Sequence, residues 1–343
     1  MEKRRKRNRK RRMLVLLIAL FFTAIMFTTA TYAWFTANQT VRVNTLTVNV
    51  AAKNGIQISV DGTNWKSIVQ TADITGASAT YSAAVNQLPE TMEPVSTIGK
   101  VDTTGKMEMF YGQIGSNEAG DYILTATKDT ETYGTTGKFI AFDLFFQVNA
   151  ETPVYLSTAS GVKVSEGDDT GIKNASRVAF VELGNADSGA AVSTIQALGT
   201  SMSAEEAAAV DPIIWEPNFD VHSAAGVGHA RDTYGVSTQE TGGSQIPYAG
   251  VKAEIAASNN VKVNVTDPLS YTTDHANYFD TVTVDKKTAA GAGFNSNLSL
   301  LTLQAGITKV RIYMWVEGQD VDRENNASGG DISYDLVITT LES

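Results

Sequence analysis

The sequence predicts an all-β protein: an antiparallel β-sandwich of jelly-roll type with long loop insertions and one or two short helices, preceded by an N-terminal signal or transmembrane helix. Three observations predict it. Apolar residues recur at every second position in many short runs, the period of a half-buried strand. The spacers between those runs are rich in Gly, Asn, Asp and Thr, and helix-period stretches are few and short. The regular alternation of strand and helix that marks a parallel βαβ fold is missing.

The first twelve residues hold nine Lys or Arg against the single acid Glu2, and the apolar run Met13–Phe27 follows, interrupted only by Thr23. A basic stretch before an apolar one stays on the cytoplasmic side while the rest of the chain crosses the membrane. A nucleic-acid-binding arm is the alternative, but such an arm cannot bury the adjoining apolar run. Thr31-Tyr32-Ala33 is a small-x-small cleavage signal that places a cut between Ala33 and Trp34. Left uncut, residues 13–35 are long enough to span a bilayer, so contact with the membrane is expected only through them and only before cleavage. The domains read as 1–33 signal peptide or anchor, 34–50 N-terminal strand and 51–343 elaborated sandwich. Two stacked β domains, divided within 186–258, are the alternative.

Residues 1–33 carry nine of the 27 basic residues and one of the 37 acidic ones, so their removal leaves 18 against 36. A net charge near −18 argues against nucleic acid as a partner. It favours a self-repelling surface whose association comes from backbone pairing or apolar contacts, or is aided by salt or divalent cations. The chain has no cysteine, so disulfides, thiolate metal sites and thiol nucleophiles are excluded, and its length suffices for a core without staples.

Val41 and Val43, then Leu46, Val48 and Val50, alternate with polar residues and shift register at Asn44-Thr45. Ile56, Ile58 and Val60 repeat the pattern and run into the turn dipeptide Asp61-Gly62. Residues 71–106 are expected to be loops with short edge strands. Within them Leu88-Pro89-Glu90-Thr91-Met92 lacks the glycine and the apolar tail of a sortase signal and reads as a Pro-bounded loop. Residues 139–156 are the most apolar stretch after the leader and, broken at Glu151-Thr152-Pro153, read as two deeply buried strands. Residues 176–183 are expected to form another central strand. Ser203-Ala204-Glu205-Glu206 has capping-box spacing and starts a helix that Pro212 ends.

Residues 211–258 are glycine-rich and read as a long surface excursion. Val261, Val263 and Val265 alternate again, as do Val282 and Val284. Near the end, Val310, Ile312, Met314 and Val316 share one strand face and Tyr334, Leu336 and Ile338 another, with a solvated hairpin loop expected between the two strands.

The junction Thr31-Tyr32-Ala33-Trp34-Phe35-Thr36, followed by Asn44-Thr45-Leu46-Thr47-Val48, resembles the start of the TasA/camelysin family of exported biofilm-matrix fibre proteins, with Asn44 where that family has glycine. The segment from Lys309 to Asp320 is similar to the K-x-R-I-x-x-W-x-E-G-x-D stretch of large relatives from anaerobic Gram-positive bacteria. The resemblance implies cleavage by a dedicated signal peptidase and a jelly-roll fold. It also implies self-assembly into fibres, the freed N-terminal strand of one subunit filling an open sheet edge of the next. Thr36, Val41, Val43, Leu46 and Val48 are then the self-assembly residues, and an alternating segment of this kind suits strand addition. The alternative is that the same segment is the first strand of its own sheet.

Camelysin relatives have been classed as metallopeptidases, but His222, His229 and His275 lie in no H-E-x-x-H pattern and read as loop histidines. Gly226-Val-Gly228 has no strand–glycine–helix context and no following Lys-Ser/Thr, so it is not a phosphate loop. Glu317, Asp320, Asp322, Glu324 and Asp331 are candidate hard-oxygen ligands for calcium, without EF-hand spacing; no other cofactor is expected. Trp65, Trp215 and Trp315 suit either a sugar-binding face or the core, and large aromatics favour the core. No catalytic site is expected. The function these observations predict is an exported extracellular-matrix or cell-surface structural protein that assembles with itself. The alternative is a membrane-anchored β-sandwich adhesin binding a glycan or host ligand.

Overall fold

A computed structural model describes residues 40–50, 55–166, 171–262, 275–285, 299–322 and 331–340. In chain order the strands begin with β1 (Val41–Val50), β2 (Gln57–Ser59), β3 (Ile68–Gln70) and β4 (Thr91–Met92), with helix α1 (Thr71–Gly76) after β3. β5 (Met109–Ser116) and β6 (Tyr122–Asp129) form a hairpin, and β7 (Ile140–Val148), β8 (Thr152–Leu156), β9 (Gly161–Glu166) and β10 (Ser176–Ala186) follow. Helices α2 (Val192–Ala197) and α3 (Ala204–Ala209) precede β11 (Ile213–Trp215), and α4 (Ala224–His229) precedes β12 (Tyr248–Val251). After α5 (His275–Tyr278) come β13 (Phe279–Val282), β14 (Leu301–Leu303), β15 (Gly306–Val316) and β16 (Asp331–Thr339).

These strands build two larger sheets. The seven-stranded one runs β14-β8-β16-β1-β3, with β4 added to β1 and β9 to β16; the five-stranded one runs β11-β10-β15-β7-β2. Val41, Leu46, Val48 and Val50 of β1 and Ile332, Tyr334, Leu336 and Ile338 of β16 project from the first sheet. They pack on Val310, Ile312, Met314 and Val316 of β15 and Phe142, Leu144 and Phe146 of β7, giving one continuous apolar layer. The faces predicted for β15 and β16 are therefore the core faces, and the molecule is a sandwich-like all-β protein.

The two terminal strands depart from the prediction in two ways. β15 and β16 lie in different sheets and do not pair, so they are not the two arms of a hairpin. β16 pairs instead with β1, in parallel, from Arg42 opposite Asp331 to Val50 opposite Ile338, with the register shift at Val43/Thr45 that the sequence places at Asn44-Thr45. Parallel pairing is what brings the first described strand to the middle of a sheet: its other edge is met by β3 and β4, both antiparallel.

The second face of the five-stranded sheet is buried as well. Ala141, Ala179, Val181, Tyr313 and Trp315 pack under Val95, Val101, Met107, Met109, Tyr248, Val282 and Val284. Residues 211–258, expected at the surface, supply part of this cover through Ile214 and Tyr248; β11 pairs with β10, β12 pairs with β13, and Trp215 is buried in the inter-sheet layer instead. Their apolar anchors are three or four residues long, too short for a periodic pattern to show. The capping box of α3 forms as its spacing predicts, Ser203 N donating to Glu206 Oε2 at 2.8 Å and Glu206 N to Ser203 Oγ at 3.1 Å. α1, α2, α4 and α5 were not expected; at four to six residues they leave no window in which a helical period can register. Trp215 and Trp315 are core residues and Trp65 packs partly buried beside Phe145 and Ile195. Val263 and Val265 lie outside the described residues.

Leu336, 1 % exposed, sits at the centre of the inter-sheet layer. Leu336→Ala is expected to lower the unfolding free energy by about 2–5 kcal/mol, while Ile68→Ala on the exposed edge of β3 shifts it by less than about 0.5 kcal/mol, as read by urea denaturation. Equal effects at the two positions would contradict this packing.

Candidate functional site

Of the residues singled out for self-assembly, Val41, Leu46 and Val48 are buried on the core face of β1 and Val43 packs half-buried beside them. They occupy their own sheet here, flanked by β16 on one side and β3 and β4 on the other; Val43 N also donates to Glu90 O at 3.0 Å. Thr36, the cleavage pair Ala33 and Trp34, and the segment 13–35 lie outside the described residues. Among the described residues no helix is long and apolar enough to cross a membrane.

Glu317, Asp320 and Asp322, expected in a solvated loop, have buried side chains. Glu317 and Asp322 are fully buried, and Asp320 turns toward Arg177 of β10. The Arg177 guanidinium is itself completely buried, because its strand runs beneath β12. Its Nη1 lies 3.3 Å from Glu216 Oε1 and donates to the backbone oxygens of Asn174 and Ser176, its Nη2 binds Asp320, and the Tyr248 ring lies 5.5 Å away. Glu317 accepts from Trp315 Nε1 and Gln319 N, both at 3.1 Å. Asp322 accepts from Ser223 N at 2.7 Å and lies 2.8 Å from His222 Nδ1, while His222 Nε2 sits 3.0 Å from Ser244 O. An imidazole facing acceptors on both nitrogens is best served as an imidazolium. His222, expected on a surface loop, is thus a buried clasp between residues 216–244 and the end of β15.

Four carboxylates around one arginine and one histidine leave an excess of negative charge away from water. Burial pushes Glu317 up to about 7, and it pushes Glu216 and Asp322 above the usual carboxylate range despite their cationic neighbours. His222 goes up to about 9: desolvation acts against the charged ring, but the hydrogen bond and charge of Asp322, the Ser244 carbonyl and the charge of Asp320 together outweigh it. Of the calcium candidates, Glu324 lies outside the described residues. Asp331 is at the start of β16, accepting from Asn44 Nδ2 at 3.3 Å. Among the described residues no group of three His, Asp or Glu side chains is placed to hold a metal ion. Glu317, Asp320 and Asp322 are engaged by Trp315, Arg177, His222 and backbone donors.

A second buried network was not anticipated. Arg311 of β15 stands opposite Asp143 of β7 and grips it with Nε at 2.7 Å and Nη2 at 3.2 Å; its Nη1 reaches Glu131 Oε1 at 3.0 Å. Lys309 Nζ lies 3.2 Å from Asp143 Oδ2 and donates to Tyr81 Oη at 3.0 Å and Gln196 O at 2.8 Å. Tyr313 Oη donates to Glu131 Oε1 at 2.8 Å. Despite burial, Arg311 and Lys309 hold Asp143 down at about 2, whereas burial raises Glu131 and lowers Lys309. The sequence did carry a signal: Asp143 interrupts the apolar stretch 139–156, and Lys309 and Arg311 fall on one face of a strand whose other face carries Val310, Ile312, Met314 and Val316. Comparison with protein-family models, with curated proteins and with solved structures found no match.

Two outcomes follow. Arg311→Met removes the cation that Asp143 and Glu131 share, leaving Asp143 to Lys309 alone, and is expected to cost about 3–5 kcal/mol in urea unfolding; a loss under about 1 kcal/mol would contradict the network. The Arg177 clasp sets a pH dependence of the opposite kind to acid denaturation. Glu317, 4.5 in its ordinary state and about 7 when folded, contributes stability below 4.5 that is lost as pH rises through 7. His222, raised from 6.5 to about 9, contributes stability below 6.5 that is lost as pH rises through 9. Thermal melts across this range should show the melting temperature falling toward alkaline pH, with a shallower fall in Glu317→Gln; a melting temperature that climbs from pH 6 to 9 would refute the assignment.

Proposed function

We propose that this chain is an exported structural protein of the extracellular matrix or cell surface, an elaborated jelly roll that assembles with copies of itself through its N-terminal strand. The place of β1 carries the reading. It is the first strand behind the basic and apolar leader, and it lies between β16 and the short strands β3 and β4 in the middle of the seven-stranded sheet. Were β1 to leave, β16 would lose its parallel ladder and the core would lose Val41, Leu46, Val48 and Val50. A slot so vacated is apolar on one side and unpaired along its edge, and only a strand of the same alternation refills it in register. The β1 of a second copy meets that requirement without any new sequence, which is the economy of exchanging identical elements.

Charge supports the same reading. A mature chain near −18 repels its copies at long range, so contacts between them must be short-range, and a backbone ladder is the strongest short-range contact that this composition offers. In the precursor the leader tethers this segment to the membrane, and cleavage after Ala33 by a signal peptidase releases it. The side chains of His222, Glu317 and Asp322 hold the loops around Arg177 in place.

Chain beginning at Trp34 and chain lacking residues 34–44 are compared by sedimentation and negative-stain microscopy. The first is expected to form filaments or large oligomers and the second to stay monomeric. A Trp34 chain that remains monomeric at high concentration overturns the proposal.

A further inference from the structure

Above the Lys309–Arg311–Asp143 network the surface opens into a cleft of about 410 Å³, within the range of small-molecule sites. Its rim is set by the exposed hydroxyl side chains Ser82, Thr104, Ser193 and Thr200; deeper in are Lys106 and Arg311, with the buried Tyr81 ring and Gln196 completing the floor and wall. Among the described residues two cations and no carboxylate line it, in a chain whose net charge is −10. The nearest acids face elsewhere: Asp143 into Arg311 and Lys309, Glu131 into Arg311 and Tyr313, and Asp102 into Thr104 and the backbone N–H of Lys106.

The cations have capacity to spare. Among the described residues Arg311 uses four of its five N–H groups, on Asp143, Glu131 and the backbone oxygen of Gly105, which leaves one on Nη2. Lys106 Nζ donates to Glu131 O at 3.0 Å, one of its three donors. The walls are fixed in advance. Gln196 Nε2 ties α2 to Asp61 O at 2.7 Å and Thr80 O at 3.2 Å, and the backbone oxygen of Gln196 receives Lys309 from beneath. On the facing wall Gly105, at φ +73°, comes so close to Gly199 that any Cβ would meet its backbone oxygen at 2.4 Å. A rigid cleft with cations below and hydroxyls above matches a ligand with an anionic group at one end and hydroxyls along its flank.

We propose that this cleft binds a small hydroxylated carboxylate of the size of one sugar-acid ring, its carboxylate toward Lys106 and Arg311 and its hydroxyls toward the serine and threonine rim. This goes beyond self-assembly and uses a different part of the molecule, since none of its residues belongs to β1. Free hexuronate and a hexuronate residue at the end of an acidic polysaccharide present the same chemistry.

The test uses the chain from Trp34 with galacturonate, a short oligogalacturonate and glucose, followed by calorimetry and ligand-observed NMR. Galacturonate is expected to bind with a dissociation constant near about 1 mM or tighter, glucose at least about tenfold more weakly, and Lys106→Met to weaken galacturonate by about tenfold. Tighter binding of the oligomer than the monomer would assign the polysaccharide as the source, and equal binding the free acid. Ala197→Trp, on the exposed side of α2, fills the cleft and should abolish binding while leaving the melting temperature unchanged. No binding of either acid up to about 10 mM, glucose binding as tightly as galacturonate, or binding that survives Ala197→Trp in a folded protein would each overturn the proposal.

Discussion

Burial of both faces of the five-stranded sheet is the constraint on which the rest depends. One face packs on the seven-stranded sheet through a mainly apolar layer; the other lies under the cover formed by residues 95–110, β12 and β13. A strand in that position has no solvent side, so any charge it carries must find its counter-charge within the protein. β15 carries Lys309 and Arg311 on the second face, β7 carries Asp143, and β10 carries Arg177. Each is met by partners drawn from distant parts of the chain, and those partners decide which loops stay close to the sheet. Arg177 holds residues 216–223 and 317–322 together, while Arg311 and Lys309 hold Glu131, Tyr81 and α2. The long connections of this protein are shaped by ion pairs more than by regular structure.

Such pairs add little net stability over a well-packed apolar alternative, because desolvation offsets most of the attraction. They act by selection: removing one partner is costly, so alternative placements of the loops are excluded. The two networks differ in character. Around Asp143 cations match or exceed acids and the carboxylate stays ionised, whereas around Arg177 acids exceed cations and protons make up the difference.

Much of the sandwich was legible in the sequence because its strands alternate. The bulge in β1, the break between β7 and β8, the core faces of β15 and β16 and the capping box of α3 all follow from spacing over a few residues. What spacing cannot give is the partner. Glu317 and Asp322 look like solvated acids until Trp315, Gln319, His222 and Ser223 are brought against them, and nothing local in the chain announces that meeting. The hairpin expected between β15 and β16 failed for the same reason: two good strands in sequence need not share a sheet. The cleft over Arg311 was invisible too, since its lining comes from four separate stretches.

The parallel union of the first described strand with the last has a bearing on how the molecule is made. Val48 meets Leu336, so nearly all of the polypeptide must leave the ribosome before that ladder can form. Contacts between such remote residues close late and slowly. Until then the middle of the seven-stranded sheet is open and the chain cannot lock shut, which is the condition a polypeptide needs if it is to be threaded through a narrow translocation pore. The joining of β1 to β16 is, in effect, a timer set by the length of chain between them.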